Sequence, residues 1–117
     1  SDRRWPWIVL VPRKPGAREI EHLAPPDRAE LLEEIVAAGA VVRAIGAALG
    51  RPVEKLNVAA LGNRVAQLHV HVVGRRADDA AWPDPVWGVT GGEAYEPEQL
   101  ALAQAAALPA LAGLRRR

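Results

Sequence analysis

The sequence predicts one domain that combines antiparallel β-strands with α-helices. Three observations lead to this prediction: an apolar, β-branched run near the N-terminus, a long helical pattern after it, and two consecutive strand patterns joined by a Gly-Asn turn. A length of 117 residues with 50% hydrophobic residues suits a single core that needs no disulfide or structural metal. We therefore expect one domain over residues 1–117, with residues from about 89 to 117 as a C-terminal extension.

The first predicted element is a strand over residues 5–11. The run is apolar and rich in β-branched residues, and it stops at Pro12, which is typical of a strand with little exposed surface. Arg13 and Lys14 follow in a turn. Two cations at the end of a strand can belong to an ordinary solvated loop or can attract a phosphate, and the sequence favours neither.

A long helix is predicted next, over residues 28–49. Asp27, with Glu30 three residues later, is typical of an N-cap with a capping box, and Gly50 suits the position after a helix C-terminus. We expect Pro25-Pro26 to stop any helix before that point. Apolar residues at steps of four and three form one stripe, namely Leu31, Ile35, Ala38, Val42, Ile45 and Leu49. The helix is therefore expected to pack against a sheet or against a second copy of itself.

Residues 55–60 and 65–73 are the next two predicted strands. The Gly62-Asn63 dipeptide lies between them and predicts a tight connection. Two adjacent strands joined in this way form an antiparallel hairpin.

The remaining residues predict a loop and a second helix. Pro and Gly break up residues 82–88, which we expect to be a packed loop because its two Trp side chains need burial. Pro97 is expected to begin an Ala- and Leu-rich helix that ends near Pro109.

The composition limits the chemistry and the partners of the chain. A net charge of +1 argues against a domain built to neutralise nucleic-acid phosphates. There is no Cys, and there is one Ser, one Thr and one Tyr, which nearly excludes a Ser or Cys hydrolase. No run approaches the roughly 20 apolar residues of a membrane span, and the first residues lack the apolar centre of a signal peptide. We therefore expect a cytoplasmic protein without nucleic-acid or membrane partners.

One segment, residues 67–73, carries the candidate catalytic residues. Polar and apolar residues alternate there, so a strand would place Gln67, His69 and His71 on one face and direct the apolar residues towards the core. Two imidazoles would then stand roughly 6.6 Å apart along an exposed ridge. A single His on a strand is more often structural, but a pair at this spacing, in a chain with three His, favours a function.

Two kinds of site use such a pair. In the first, the imidazoles bind zinc, which requires a third ligand, and His22 is the remaining His. In the second, one imidazole attacks phosphorus and the other handles protons, a task that suits a side chain titrating near neutral pH. The scarcity of other nucleophiles favours the second kind.

The same segment resembles the motif of the histidine triad (HIT) family, with Gln67 in place of the first His. The residues before it, 62–66, and the strand and basic turn at 7–14 add to the similarity. Trp82-Pro83 is similar to the Trp-Pro of the Hint branch. The matches follow the family's order from residue 5 to about 88, and the resemblance is strongest to small bacterial HIT-domain proteins with a Gln-x-His-x-His variant.

The resemblance implies an α+β fold in which an antiparallel sheet carries the motif on the face away from one long helix, with a C-terminal helix added. It implies a homodimer with one continuous sheet. The implied activity is hydrolysis or transfer of a nucleoside monophosphate from a phosphoramidate, a dinucleoside polyphosphate or another nucleotide conjugate, through a nucleotidylated His and without a metal or cofactor. Carried over by position, His69 is the nucleophile, His71 contacts the phosphate and leaving group, and Gln67 takes the first place.

Further site residues follow from the same resemblance. In the family, the second ring nitrogen of the nucleophile donates to a backbone carbonyl near the first motif position, which Gln67 can supply as well as His. Gly62, Asn63 and Arg64 are expected near the phosphate, with Arg64 where the family usually has Ser or Thr. Trp82 is expected among the nucleotide-binding residues.

A non-catalytic nucleotide-binding or adaptor module with the same fold is the alternative. It is favoured by Gln67 at the first motif position and by Arg64. Trp7 is a further departure, because it stands where Hint proteins have an additional His.

Overall fold

The computed structural model describes residues 3–89, 92 and 95–115. Its elements, in chain order, are β1 (Trp7–Leu10), a 3₁₀ turn (Ile20–His22), α1 (Pro25–Ala48), β2 (Lys55–Ala60), β3 (Val70–Arg75) and α2 (Pro97–Arg115). The strands form one antiparallel sheet in the order β1-β3-β2. α1 packs on β1 and β3, and α2 packs on α1. The predicted α+β class, with one long helix on the sheet and a C-terminal helix, is confirmed.

β3 is the central strand and is paired on both sides. His71 lies opposite Val9 of β1 and Ala59 of β2. The predicted antiparallel pairing of β2 with β3 is confirmed, and β2 has the predicted bounds. β1 is shorter than the predicted run 5–11, since prolines, which have no N–H to donate to a strand ladder, lie close to both of its ends.

The start of β3 differs from the prediction. The sequence predicts a strand from residue 65 after a tight turn, whereas the structure has an irregular connection over residues 61–69. The backbone amide of Leu68 donates to the carbonyl of Ala17 at 2.8 Å and not to a neighbouring strand, so this part of the chain lies outside the ladder. His69 consequently precedes the strand.

α1 begins three residues before the predicted start, and the proposed N-cap at Asp27 is wrong. The helix starts at Pro25, because a proline fits the first turn of a helix, where its missing N–H would have no helical partner. Asp27 lies within the first turn and pairs with Lys14 at 3.5 Å. At the other end Gly50 has a positive φ of 71°, as expected for the residue after a helix C-terminus.

α2 begins at Pro97 as predicted, but the predicted end near Pro109 is wrong, because the helix continues to Arg115. A proline removes one helical hydrogen bond, and the bonds before and after it can still hold the helix together. Ala103 and Ala107 are buried, and such small side chains permit a close approach to α1.

Among the described residues, no helix combines the length and the apolar character needed to cross a membrane.

The two faces of the sheet are covered by different parts of the chain. On one face Val70 and Val72 of β3 pack against apolar residues of α1. On the other face Val73 packs with Val86, which belongs to the loop after β3. Side chains alternate along a strand, so His71 lies on this second face, away from the long helix as the family resemblance implies.

A buried ion pair holds the loop after β3, residues 76–89, in place. Arg75 is 1% exposed, and its guanidinium donates to the two carboxylate oxygens of Asp79 at 2.7 and 3.1 Å. It also donates to the side chain of Asn57 and to the carbonyl of Asp84. The carboxylate of Asp79 accepts further hydrogen bonds from the backbone amides of Arg76, Ala81 and Trp82. Burial alone would raise the pKa of Asp79, but the bonds from Arg75 and these amides lower it well below its usual range.

Asp79→Asn is expected to lower the free energy of unfolding by about 3–5 kcal/mol, because it leaves the guanidinium of Arg75 buried without a counter-ion. Asp78→Asn is the matched control, since the Asp78 side chain is 57% exposed and pairs with arginines at the surface. We expect this control to unfold at nearly the wild-type urea concentration. Urea titrations followed by Trp fluorescence measure both variants, and equal losses would contradict the role given to the buried pair.

Candidate functional site

Two imidazole rings stand side by side at the start of β3. The ring centroids of His69 and His71 are 5.1 Å apart, and the ring planes are inclined at 71°. The rings are adjacent, as the sequence predicts, but they do not form a fully exposed ridge. Both residues are half-buried, and in the case of His71 the cover comes from two tryptophan rings.

His69 has one of its ring nitrogens fixed by the backbone. Its Nδ1 lies 2.7 Å from the carbonyl oxygen of Gln67. A carbonyl oxygen can only accept, so Nδ1 is the donor and Nε2 of the neutral ring keeps an unshared electron pair. The contact expected from the family resemblance is therefore present, and it uses an atom that every residue possesses.

His71 is fixed by a different partner. The indole Nε1 of Trp7 donates to Nδ1 of His71 at 3.0 Å, and the two rings meet edge to face with centroids 5.6 Å apart. The ring of Trp87 packs against the same imidazole at 5.7 Å. Burial, and secondarily the charge of His69, lowers the pKa of His71 below its ordinary value of 6.5. The neutral form of His71 is therefore favoured more than the neutral form of a free imidazole.

Trp7 and Trp87 were not among the residues that the sequence predicted for the site. Trp7 reaches His71 across 64 positions of sequence through the pairing of β1 with β3. One sequence feature could have identified Trp7 as a site residue, namely that it stands where proteins of the Hint branch have a further His. Trp87 lies in the loop predicted to bury two tryptophans, whereas Trp82 of the same loop remains 40% exposed and covers the guanidinium of Arg75 at 5.5 Å.

The residues predicted to contact a phosphate lie in the connection between β2 and β3. Gly62 has a positive φ of 70°, a conformation that favours glycine, and Asn63 and Arg64 are exposed beside it. Gln67 and His69 belong to the same connection. One irregular segment therefore carries the candidate phosphate contacts, the carbonyl that orients His69, and His69 itself.

Among the described residues, the structure provides no third ligand for the zinc hypothesis. Nδ1 of His22 accepts hydrogen bonds from the backbone amides of Arg18 and Glu19, in the 3₁₀ turn before α1. In the part of the chain that the structure describes, no three His, Asp or Glu side chains are grouped so that they could hold a metal ion.

Comparisons with known proteins identify the family of the chain. The family model of the HIT domain matches residues 1–78. A crystal structure of a histidine triad protein from Sinorhizobium meliloti 1021 is 42% identical with a TM-score of 0.77, over 92% of this chain and 76% of that chain. One from Bradyrhizobium japonicum is 44% identical with a TM-score of 0.78, over 92% and 77% of the two chains. One from Marinobacter aquaeolei VT8 is 42% identical with a TM-score of 0.79, over 97% and 79%.

A comparison with curated proteins gave no match. The family match nevertheless spans the sheet, α1 and both imidazoles, and the structural similarity extends over most of the chain. The chain belongs to the histidine triad (HIT) family.

Proposed function

We propose that this HIT protein hydrolyses or transfers a nucleoside monophosphate, taken from a phosphoramidate or from a dinucleotide or other nucleotide conjugate, through a nucleotidyl intermediate on His69. The observation that carries the proposal is the 2.7 Å contact between Nδ1 of His69 and the carbonyl of Gln67. This contact leaves Nε2 of a neutral ring unprotonated. Such a nitrogen can attack phosphorus without first losing a proton.

The reaction would proceed in two displacements. In the first, Nε2 of His69 bonds to the α-phosphorus while the bond to the leaving group breaks. In the second, water or another acceptor attacks the phosphorus, and the electron pair of the phosphorus–nitrogen bond returns to Nε2. His71, whose ring adjoins that of His69 on the same face, would contact the phosphate and the leaving group.

Gln67 at the first motif position is compatible with an enzyme. Its contribution to the nucleophile is a main-chain carbonyl, which the exchange of His for Gln does not remove. Its side-chain Nε2 is buried and has no protein acceptor among the described residues. The retained carbonyl contact with His69 therefore supports the catalytic function over the non-catalytic module.

The negative charge of the phosphate would be stabilised by the connection between β2 and β3. Backbone amides at Gly62 and Asn63, together with the guanidinium of Arg64, are the proposed contacts. Trp82 is proposed to contact the nucleotide through the part of its ring that remains exposed.

His69→Ala is expected to reduce the release of AMP from an adenosine conjugate, whether a diadenosine polyphosphate or a phosphoramidate, by about a thousandfold or more, because it removes the attacking nitrogen. His22→Gln is the matched control, as it replaces a histidine that lies in the 3₁₀ turn and retains a side-chain acceptor. We expect this control to turn over the substrate like the wild type. Intact-mass measurement on His71→Ala incubated with the same substrate should detect one added nucleotidyl group.

Two results would contradict the proposal. Unchanged turnover in His69→Ala would exclude the nucleophile, whatever the fold. Stoichiometric binding of AMP by a wild-type protein that releases none from any nucleotide conjugate would establish the binding module instead.

We also propose that the protein is a homodimer, as the family resemblance implies. Leu32 and Val36 lie one turn apart on α1 and are 59% and 63% exposed, which is unusual for large apolar side chains of a helix that packs on a sheet. A second copy of the chain would cover them.

Val36→Glu is expected to shift the protein from dimer to monomer in sedimentation-velocity experiments, because it places a charge in the proposed interface. Ile20→Glu is the control, since this side chain is 46% exposed but lies in the 3₁₀ turn before α1. A wild-type protein that sediments as a monomer at every concentration tested would refute the proposed dimer.

A further inference from the structure

The hydrogen bond between Trp7 and His71 determines which ring nitrogen of His71 carries the proton. An indole N–H can only donate, so at 3.0 Å it occupies the electron pair on Nδ1. A neutral imidazole carries one proton, which must then be on Nε2. The ring of His71 can offer an N–H to a substrate but has no second unshared electron pair to use.

The same contact opposes a positive charge on His71. Protonation would put N–H groups on both ring nitrogens, and the new N–H on Nδ1 would face the N–H of Trp7. Two other rings pack against the imidazole, those of His69, before β3, and of Trp87, from the loop after β3, and its cross-strand neighbours Val9 and Ala59 carry no charge. His69 is the titratable one, and in the described part of the chain no carboxylate bonds to His71 to compensate a charge. Burial and His69 act in the same direction, since both lower the pKa of His71.

We infer that Trp7 is a positioning residue that commits His71 to the neutral form with its proton on Nε2, and that it thereby selects nucleotide substrates whose leaving group departs as a stable anion. Phosphoanhydrides, with a phosphate or polyphosphate leaving group, belong to this class. Phosphoramidates of alkylamines do not. The inference rests on the proposed function and narrows its substrate class.

The selection follows from where the protons go. When Nε2 of His69 bonds to the α-phosphorus of an anhydride, the bridging oxygen leaves with the electron pair and needs only a hydrogen bond from Nε2–H of His71. The positive charge formed on the His69 ring is stabilised by the Gln67 carbonyl at Nδ1. Water then attacks the phosphorus, the electron pair returns to Nε2 of His69, and the surplus proton of the water passes to solvent.

An alkylamine leaving group, in contrast, must receive a proton as it departs. Cleavage of its phosphorus–nitrogen bond would produce a strongly basic amide anion unless the nitrogen receives a proton in the same step. An imidazolium can supply that proton, whereas the Nε2–H of a neutral imidazole is too weak an acid. Because Trp7 disfavours the imidazolium, the site is poorly equipped for this second class.

The test compares two substrates with the same nucleoside monophosphate, a diadenosine polyphosphate and an adenosine alkyl-phosphoramidate. The wild type should have the higher kcat/KM for the anhydride. Trp7→Phe keeps an aromatic ring but removes the donor, so the ratio of phosphoramidate to anhydride kcat/KM should rise by about tenfold. Trp87→Phe is the matched control, because it reduces the cover over His71 in the same way but removes an indole N–H that has no protein acceptor in the described residues, and we expect it to change the ratio much less than Trp7→Phe does.

Imidazole NMR provides a readout that needs no turnover. Long-range ¹H–¹⁵N correlations of the wild type should place the His71 proton on Nε2. The pH of half-protonation of His71 should rise more in Trp7→Phe than in Trp87→Phe, because both variants reduce the cover over the ring but only the first removes a hydrogen-bond donor. A proton on Nδ1 in the wild type, or an unchanged titration in Trp7→Phe, would overturn the role of Trp7. The wild-type spectrum decides the first point even if Trp7→Phe fails to fold.

The kinetic result separates the two proposals. A wild type that prefers the phosphoramidate, or a Trp7→Phe ratio equal to that of the wild type, would refute the substrate selection while leaving the nucleotidyl-His69 reaction intact. If neither substrate is cleaved, the proposed function fails and the selection fails with it, whereas the NMR result on Trp7 stands by itself.

Discussion

Val70 and Val72 are almost completely buried against α1, and their burial determines which way the other side chains of β3 point. Side chains alternate along a strand, so a slip of one residue would expose both valines and turn His71 into the core. Burying one such side chain stabilises a fold by about 1.5–3 kcal/mol, which makes the slip costly. β1 and β2 pair with β3 on both sides and hold the same register. His71 is therefore displayed on the second face because of the aliphatic residues beside it, not because of its own polarity.

The chemistry of that second face also depends on the loop after β3. The guanidinium of Arg75 binds Asp79 and the Asp84 carbonyl within the loop, and Asn57 on β2, so it joins the loop to the sheet. The same loop brings Trp87 against His71. An imidazole that is shielded from water binds a second proton less readily, because burial disfavours the charged form. Burial is accordingly the larger cause of the lowered pKa of His71. An ion pair at one end of β3 thus supports the electrostatics of the histidine at the other end.

The sequence was sufficient where neighbours in the chain decide the structure. The bounds of β2, the positive φ after α1 and the alternation of side chains over residues 70–73 all follow from local patterns. The start of β3 was not predictable in this way, because it depends on a hydrogen bond between Leu68 and Ala17, which are distant in sequence. The contact of Trp7 with His71 likewise depends on how two strands align. For the same reason, the sequence identified two candidate imidazoles but could not say which nitrogen of His71 is occupied.

In their neutral forms, the two imidazoles carry their protons on different ring nitrogens. The carbonyl of Gln67 holds the proton of His69 on Nδ1, and the indole of Trp7 leaves the proton of His71 on Nε2. A cationic ring would attract a phosphate more strongly, but it would have no free electron pair with which to attack phosphorus. In the proposed reaction, the attraction for the phosphate would therefore come from outside the pair of rings. The connection that presents His69 also carries the exposed Arg64, so in the proposed reaction the nucleophile and the positive charge would come from different side chains of one segment.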